Sequence, residues 1–146
     1  MGTMRIERIG NGIVMDHIKA GQGIKILKLF DPSLLKTKID YASYIDSPSM
    51  GMKDIIKIEN LDVDPNTLMK MTLLAPEISI SIIRDGQVHE KLKPKVPPFV
   101  EGVIACHNPK CITLTEKYLV SRFSVEWQED GHIRQQCQYC EHVFHT

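Results

Sequence analysis

The chain has 146 residues, 42% hydrophobic and 25% charged, with 18 Lys plus Arg against 18 Asp plus Glu. That length holds one ordinary domain or two small ones, and the balance is that of a globular protein rather than a disordered one. Zero net charge argues against general nucleic-acid binding, and no apolar run approaches the roughly 18 residues that a membrane span needs.

Residues 1–7 carry charge early and lack a long apolar core, so no secretory signal is read and a cytoplasmic location is expected. Gly10-Asn11-Gly12 reads as a turn and residues 13–18 as a strand. Ile24, Leu27 and Phe30 recur at helical spacing, and Pro32 ends that short helix. Residues 36–45 and 52–58 read as strands; in the second, Ile56 and Ile58 alternate with Lys57 and Glu59, as on a half-buried sheet. Asp64-Pro65 is a good helix start, because Asp can cap and Pro is tolerated at the first helical position. Leu68, Met71 and Ala75 share a face, and Pro76 stops the helix. Residues 78–82 form a further strand, and Asp85-Gly86 is a hairpin turn into residues 88–92. The order strand, helix, strand, strand, helix, strand, plus a hairpin strand, predicts an α+β fold with a ferredoxin-like antiparallel sheet and two helices.

Pro94, Pro97 and Pro98 then remove backbone donors and favour extended structure, so a boundary is placed between residues 1–95 and residues 96–146. Beyond it, Leu119, Phe123, Val125 and Trp127 are expected on one side of a strand. Asp130-Gly131 is read as a two-residue turn into a returning strand from Ile133. This second segment is a predicted β-ribbon. It carries 4 basic and 6 acidic residues, against 14 and 12 before it, whereas a module gripping phosphates should be basic.

All four cysteines lie in the ribbon, as Cys106-x4-Cys111 and Cys137-x2-Cys140. Each short loop can aim two sulfurs at one point, and two loops complete a tetrahedron around one zinc ion. Asn108-Pro109 favours the tight turn that the first loop requires. Two disulfides or four free thiols are the alternatives, and a chain without a secretory signal disfavours the disulfides. His107, His142 and His145 lie nearby, so three cysteines and a histidine would also be a chemically possible ligand set. Four thiolates would close the shell to water and substrate, which makes the metal structural and leaves the ribbon unfolded without it.

Other candidates are weaker. Asp16-His17 could be an acid–base pair, but neighbours on a regular strand point to opposite faces. Gly21-Gln22-Gly23 lacks the third glycine and the Lys-Ser/Thr of a P-loop and reads as a plain turn. Lys53, Lys57, Lys91, Lys93 and Lys95 could form an anion patch or simply line a solvated sheet edge. No activated nucleophile or open metal position appears, so a free-standing enzyme is not expected. A zinc-ribbon nucleic-acid binder is the alternative reading, opposed by the acidic balance and by too few aromatics for a stacking surface.

Taken together, several segments resemble the regulatory chain of aspartate carbamoyltransferase, from about residue 5 to residue 141. They are Val14-Met15-Asp16-His17-Ile18, Lys53-Asp54-Ile55-Ile56-Lys57-Ile58-Glu59-Asn60, Ala75-Pro76, Cys106-His107-Asn108-Pro109-Lys110-Cys111-Ile112-Thr113 and Cys137-Gln138-Tyr139-Cys140. The resemblance implies a non-catalytic subunit in pyrimidine synthesis. Its first domain would bind CTP or ATP and pair with a second copy, and its zinc domain would dock on the catalytic chain. It also implies residue roles. Ile6, Glu7, Arg8 and Ile9 match the segment whose backbone reads the base; Asp16 matches the carboxylate that receives the ribose hydroxyls, and His17 a phosphate neighbour. Lys57 matches a lysine near base and ribose, Lys91 the main triphosphate contact, and Ile83 and Val88 positions lining the pocket. The chain departs from the family pattern at Arg8, Tyr44, Ser81 and Gly86, positions that bear on effector selectivity.

Overall fold

The computed structural model describes residues 9–30 and 36–146. They form two compact units, one holding Glu77–Pro94 with the described residues up to Asp64, the other Pro65–Pro76 with Lys95–Thr146. No helix among the described residues is long and apolar enough to cross a membrane.

The first unit contains β1 (Gly12–Lys19), α1 (Gly23–Lys28), β2 (Ile39–Ser47), β3 (Gly51–Glu59), β4 (Ser79–Arg84) and β5 (Gln87–Leu92), and the connection from β3 to β4 runs through α2 (Pro65–Leu74). The strands pair antiparallel in the order β2-β3-β1-β4-β5, the ferredoxin-like arrangement with β5 added at one edge. Alternation decides which face is buried: Ile13 and Met15 of β1 lie opposite Ile58 and Ile56 of β3, and all four are at most 1% exposed. Asp85 and Gly86 have φ of 52° and 76° and join Arg84 to Gln87 directly, a two-residue turn as expected.

Three strand pairings shift register, one of them where β4 meets β5 between Ile82 and Ile83. The other two shifts lie between Met15 and Ile18 and between Ala42 and Ile45, and these bulges carry His17 and Tyr44 at φ of 56° each. A non-glycine residue held there costs on the order of 1–3 kcal/mol and needs support from its surroundings. For Tyr44 that support is Asp54, whose carboxylate is fully buried. Its Oδ1 accepts the Tyr44 N–H at 2.9 Å, and its Oδ2 accepts the Gly21 and Gly23 N–H groups and the Tyr41 hydroxyl, each at 3.0 Å. The same hub explains Gly23, where a Cβ would lie 2.5 Å from Tyr41 Cε1 and 2.8 Å from Asp54 Oδ2. Gly21-Gln22-Gly23 is thus a turn shaped by a carboxylate acceptor.

The second unit is built on β6 (Phe99–Glu101), β7 (Arg122–Trp127), β8 (Ile133–Cys137) and β9 (Val143–His145), antiparallel in that order, with the short α3 (Ile112–Thr115) between β6 and β7. Its core holds Val100, Phe123, Val125 and Ile133 with Cys106, Cys111 and Cys137. Helix α2 stands between β3 and β4 in chain order, yet Leu73 belongs to this core, and Thr146 Oγ1 donates to the Leu73 carbonyl at 2.8 Å. The expected hairpin is present, with two corrections. Leu119 precedes the strand, while Phe123, Val125 and Trp127 do alternate along one side of it, opposite Cys137, Gln135 and Ile133. Trp127 faces Ile133 across a five-residue loop, so Asp130-Gly131 is not a two-residue turn; the Gly131 N–H reaches Gln128 O at 3.0 Å within it. Asp130 Oδ1 meanwhile accepts the His132 N–H at 3.0 Å, a local side-chain bond that stabilises the wider loop.

Candidate metal centre and the open face of the sheet

In the first cysteine loop, the Asn108 N–H points at Cys106 Sγ (3.4 Å). Asn108 Oδ1 accepts the Lys110 N–H and Asn108 O the Cys111 N–H, both at 3.0 Å, which folds the x4 spacer back on itself. In the second loop, the Cys137 N–H donates to His142 O (2.9 Å) and the Glu141 N–H to Cys137 O (3.0 Å), with Glu141 at φ 65°. The Tyr139 and Cys140 N–H groups face the Cys137 sulfur and the His142 N–H faces that of Cys140, so both loops aim backbone N–H groups at sulfur.

The four Sγ atoms lie within 4.8 Å of one another, and all four cysteines are free thiols. Cys106 and Cys140 are 3.6 Å apart, and Cys111 and Cys137 3.8 Å. A tetrahedron of sulfurs at about 2.3 Å from a central ion has edges of about 3.8 Å, so the donors fit a tetrahedral metal. Electrostatics agree. Burial pushes the Cys106 thiol up to about 12 and raises Cys137, while the His142 N–H lowers Cys140 to about 6. Protein groups alone leave this cluster only partly ionised, and a divalent cation would hold all four as thiolates. None of His107, His142 and His145 joins the group. His107 instead stacks on Phe144 with ring centroids 3.7 Å apart.

On the sheet of the first unit, residues directly opposite one another share a face. Lys91 lies opposite Ser81, Ser81 opposite Val14, and Val14 opposite Lys57, a row across β5, β4, β1 and β3. Asp16, two residues on from Val14, shares that face and lies opposite Ser79. Ile83 lies opposite Gly12 and Val88, which extends the same face to the β4–β5 hairpin; Ile83 is buried and Val88 62% exposed. This face is opposite to the one buried by Ile13, Met15, Ile56 and Ile58.

The bulge changes the expectation for His17. Its positive φ turns the side chain away from the alternating pattern, and Nδ1 lies 2.9 Å from Ser79 Oγ, on the Asp16 side. Asp16 Oδ1 accepts the His17 N–H and is 3.0 Å from Lys53 Nζ. Neighbouring residues thus do share a face here, because one extra residue breaks the period of two. Ile9 is buried just before β1, whereas Ile6, Glu7 and Arg8 lie outside the described residues. The sequence gives Asp54 and Ser79 no individual role, and Lys53 none beyond a place in a lysine patch. Nothing local marks these residues, since their partners are 10 to 62 positions away.

Comparison with known proteins covers almost the entire chain. Residues 4–95 match the family model described as aspartate carbamoyltransferase regulatory chain, allosteric domain, and residues 98–146 match its metal binding domain. The aspartate carbamoyltransferase regulatory chain of Methanocaldococcus jannaschii is 38% identical over 141 residues, covering 97% of this chain and 92% of that one. The regulatory chain of Vibrio vulnificus is 40% identical over 141 residues, covering 97% and 91%. That of Clostridium botulinum is 38% identical over 142 residues, covering 97% and 94%.

Proposed function

The chain belongs to the aspartate carbamoyltransferase regulatory chain family, and from that premise we propose that it binds CTP and ATP on the open face of its five-stranded sheet. It is a regulatory rather than a catalytic chain, as its relatives are named. The observation that carries the nucleotide reading is the cross-strand row of Lys91, Ser81, Val14 and Lys57 with Asp16 beside it. Two cations on one face offset a triphosphate, and a carboxylate held by Lys53 accepts from ribose hydroxyls. His17 stands beside the phosphates, Ile83 and Val88 line the base, and Ile9 with Ile6, Glu7 and Arg8 presents backbone groups that tell cytosine from adenine.

In this reading the functional division is 1–95 for the nucleotide and 96–146 for docking on the catalytic chain, with a second regulatory copy pairing through the first part. The metal is a single Zn²⁺ on Cys106, Cys111, Cys137 and Cys140. Zinc suits four thiolates in a tetrahedron, supplies no chemistry to a substrate there, and makes the docking surface rigid. The assembly works in the cytoplasm, in pyrimidine synthesis, without nucleic acid as a partner. Control requires that CTP or ATP bind one quaternary state of the assembly better than another.

Isothermal titration of Lys91→Ala with CTP and with ATP tests the pocket. Loss of one charge-assisted contact worth about 1.5–3 kcal/mol weakens binding by roughly 10- to 150-fold. Metal content and assembly stay unchanged. Wild-type affinity in that variant would remove the assignment.

A further inference from the structure

The four sulfurs are not equivalent. Cys111 and Cys137 are completely buried, whereas Cys106 retains 6% exposure and Cys140 is the one partly exposed member of the set. The two outer sulfurs are also neighbours, 3.6 Å apart, and they belong to different loops, 34 residues apart in sequence. An oxidant arriving from solvent therefore meets Cys140 first, with Cys106 already in reach as a resolving sulfur.

We propose that Cys140 and Cys106 form a peroxide-sensitive release pair, which a hydroperoxide converts to a disulfide with loss of the metal. This inference rests on the reading of the cluster as a metal centre. The Cys140 thiolate attacks one peroxide oxygen; an S–O bond forms, the O–O bond breaks, and hydroxide leaves to take a proton from solvent. Cys106 then attacks the sulfenic sulfur of Cys140; the S–S bond forms, the S–O bond breaks, and a second hydroxide is protonated. In sum, two thiolates, one hydrogen peroxide and two protons give one disulfide and two waters, the sulfurs supplying both electrons. Only Cys111 and Cys137 remain as thiolates, and two donors do not hold a tetrahedral ion. The unit loses its closed shell, and a dithiol reductant with added metal restores it.

The test uses the full chain as purified, with its metal content measured first. A chain that is folded but metal-free would overturn the metal reading itself and this inference with it. With metal present, hydrogen peroxide is added stepwise while a chromogenic chelator follows release and peptide mass mapping locates disulfides. The expected result is one metal released together with a Cys106–Cys140 disulfide, reversed by dithiothreitol and zinc. Cys140→His keeps a fourth donor but removes the outer sulfur, and it slows release at least tenfold. Metal retained after peroxide treatment, a first disulfide between Cys111 and Cys137, or equal release from Cys140→His overturns the proposal. Should the histidine variant fail to hold metal, wild-type disulfide mapping decides alone.

Discussion

Asp54 shows how one side chain can govern a local fold without entering the chemistry. Its carboxylate accepts three backbone N–H groups and the Tyr41 hydroxyl, which joins the β1–α1 turn to the bulge of β2. In the Lys53-Asp54-Ile55-Ile56 run the aspartate stands in a strand, where only tertiary contact reveals what it accepts. Removing it strands buried donors, each of which carries a penalty of about 1–3 kcal/mol. Asp54→Ala should therefore lower stability by about 3–5 kcal/mol, read as a shift of the urea midpoint by circular dichroism. A loss under about 1 kcal/mol would mean that water replaces the carboxylate readily. Asp16 and His17 carry the opposite lesson. Both were legible as candidates, but the bulge that puts them on one face was not, because a period of two hides an inserted residue.

Among the elements, the cysteine loops were legible from spacing, since a short loop between two sulfurs leaves few geometries. The ribbon around them was legible only in part. β6 and β9 are each three residues long, too short for a hydrophobic alternation to announce them, and they exist because β7 and β8 offer unpaired edges. Such small strands depend on the centre they surround. Chelation of the metal, or Cys111→Ala, should melt the second unit, seen as loss of dispersed amide resonances from residues 99–145. Resonances from β1, β3 and β4 should persist, because their apolar contacts come from Ile13, Met15, Ile56, Ile58 and Ile80 and involve no cysteine. Unchanged ribbon resonances in the metal-free chain would show that the core around Phe123 suffices by itself.

At the scale of the whole molecule, the family match joins an allosteric domain over residues 4–95 to a metal binding domain over residues 98–146 in one chain. Mixing the chain with an aspartate carbamoyltransferase catalytic chain should give a larger assembly by light scattering when zinc is present. Chelation should abolish it, while an equally large assembly in chelator would sever docking from the metal. The sequence by itself determined the family, the succession of strands and helices up to the proline-rich segment and the paired spacing of the four cysteines, because turn residues, alternation and loop spacing are local properties. It could not assign α2, whose Leu73 packs among Val100, Phe123 and Ile133 from the far side of the proline-rich segment. Nor could it reveal that Lys91, Lys57 and Asp16 share one face, since that follows from register between strands distant in sequence. Packing and register are decided by which surfaces exclude water together, a property of the folded chain rather than of any stretch of it.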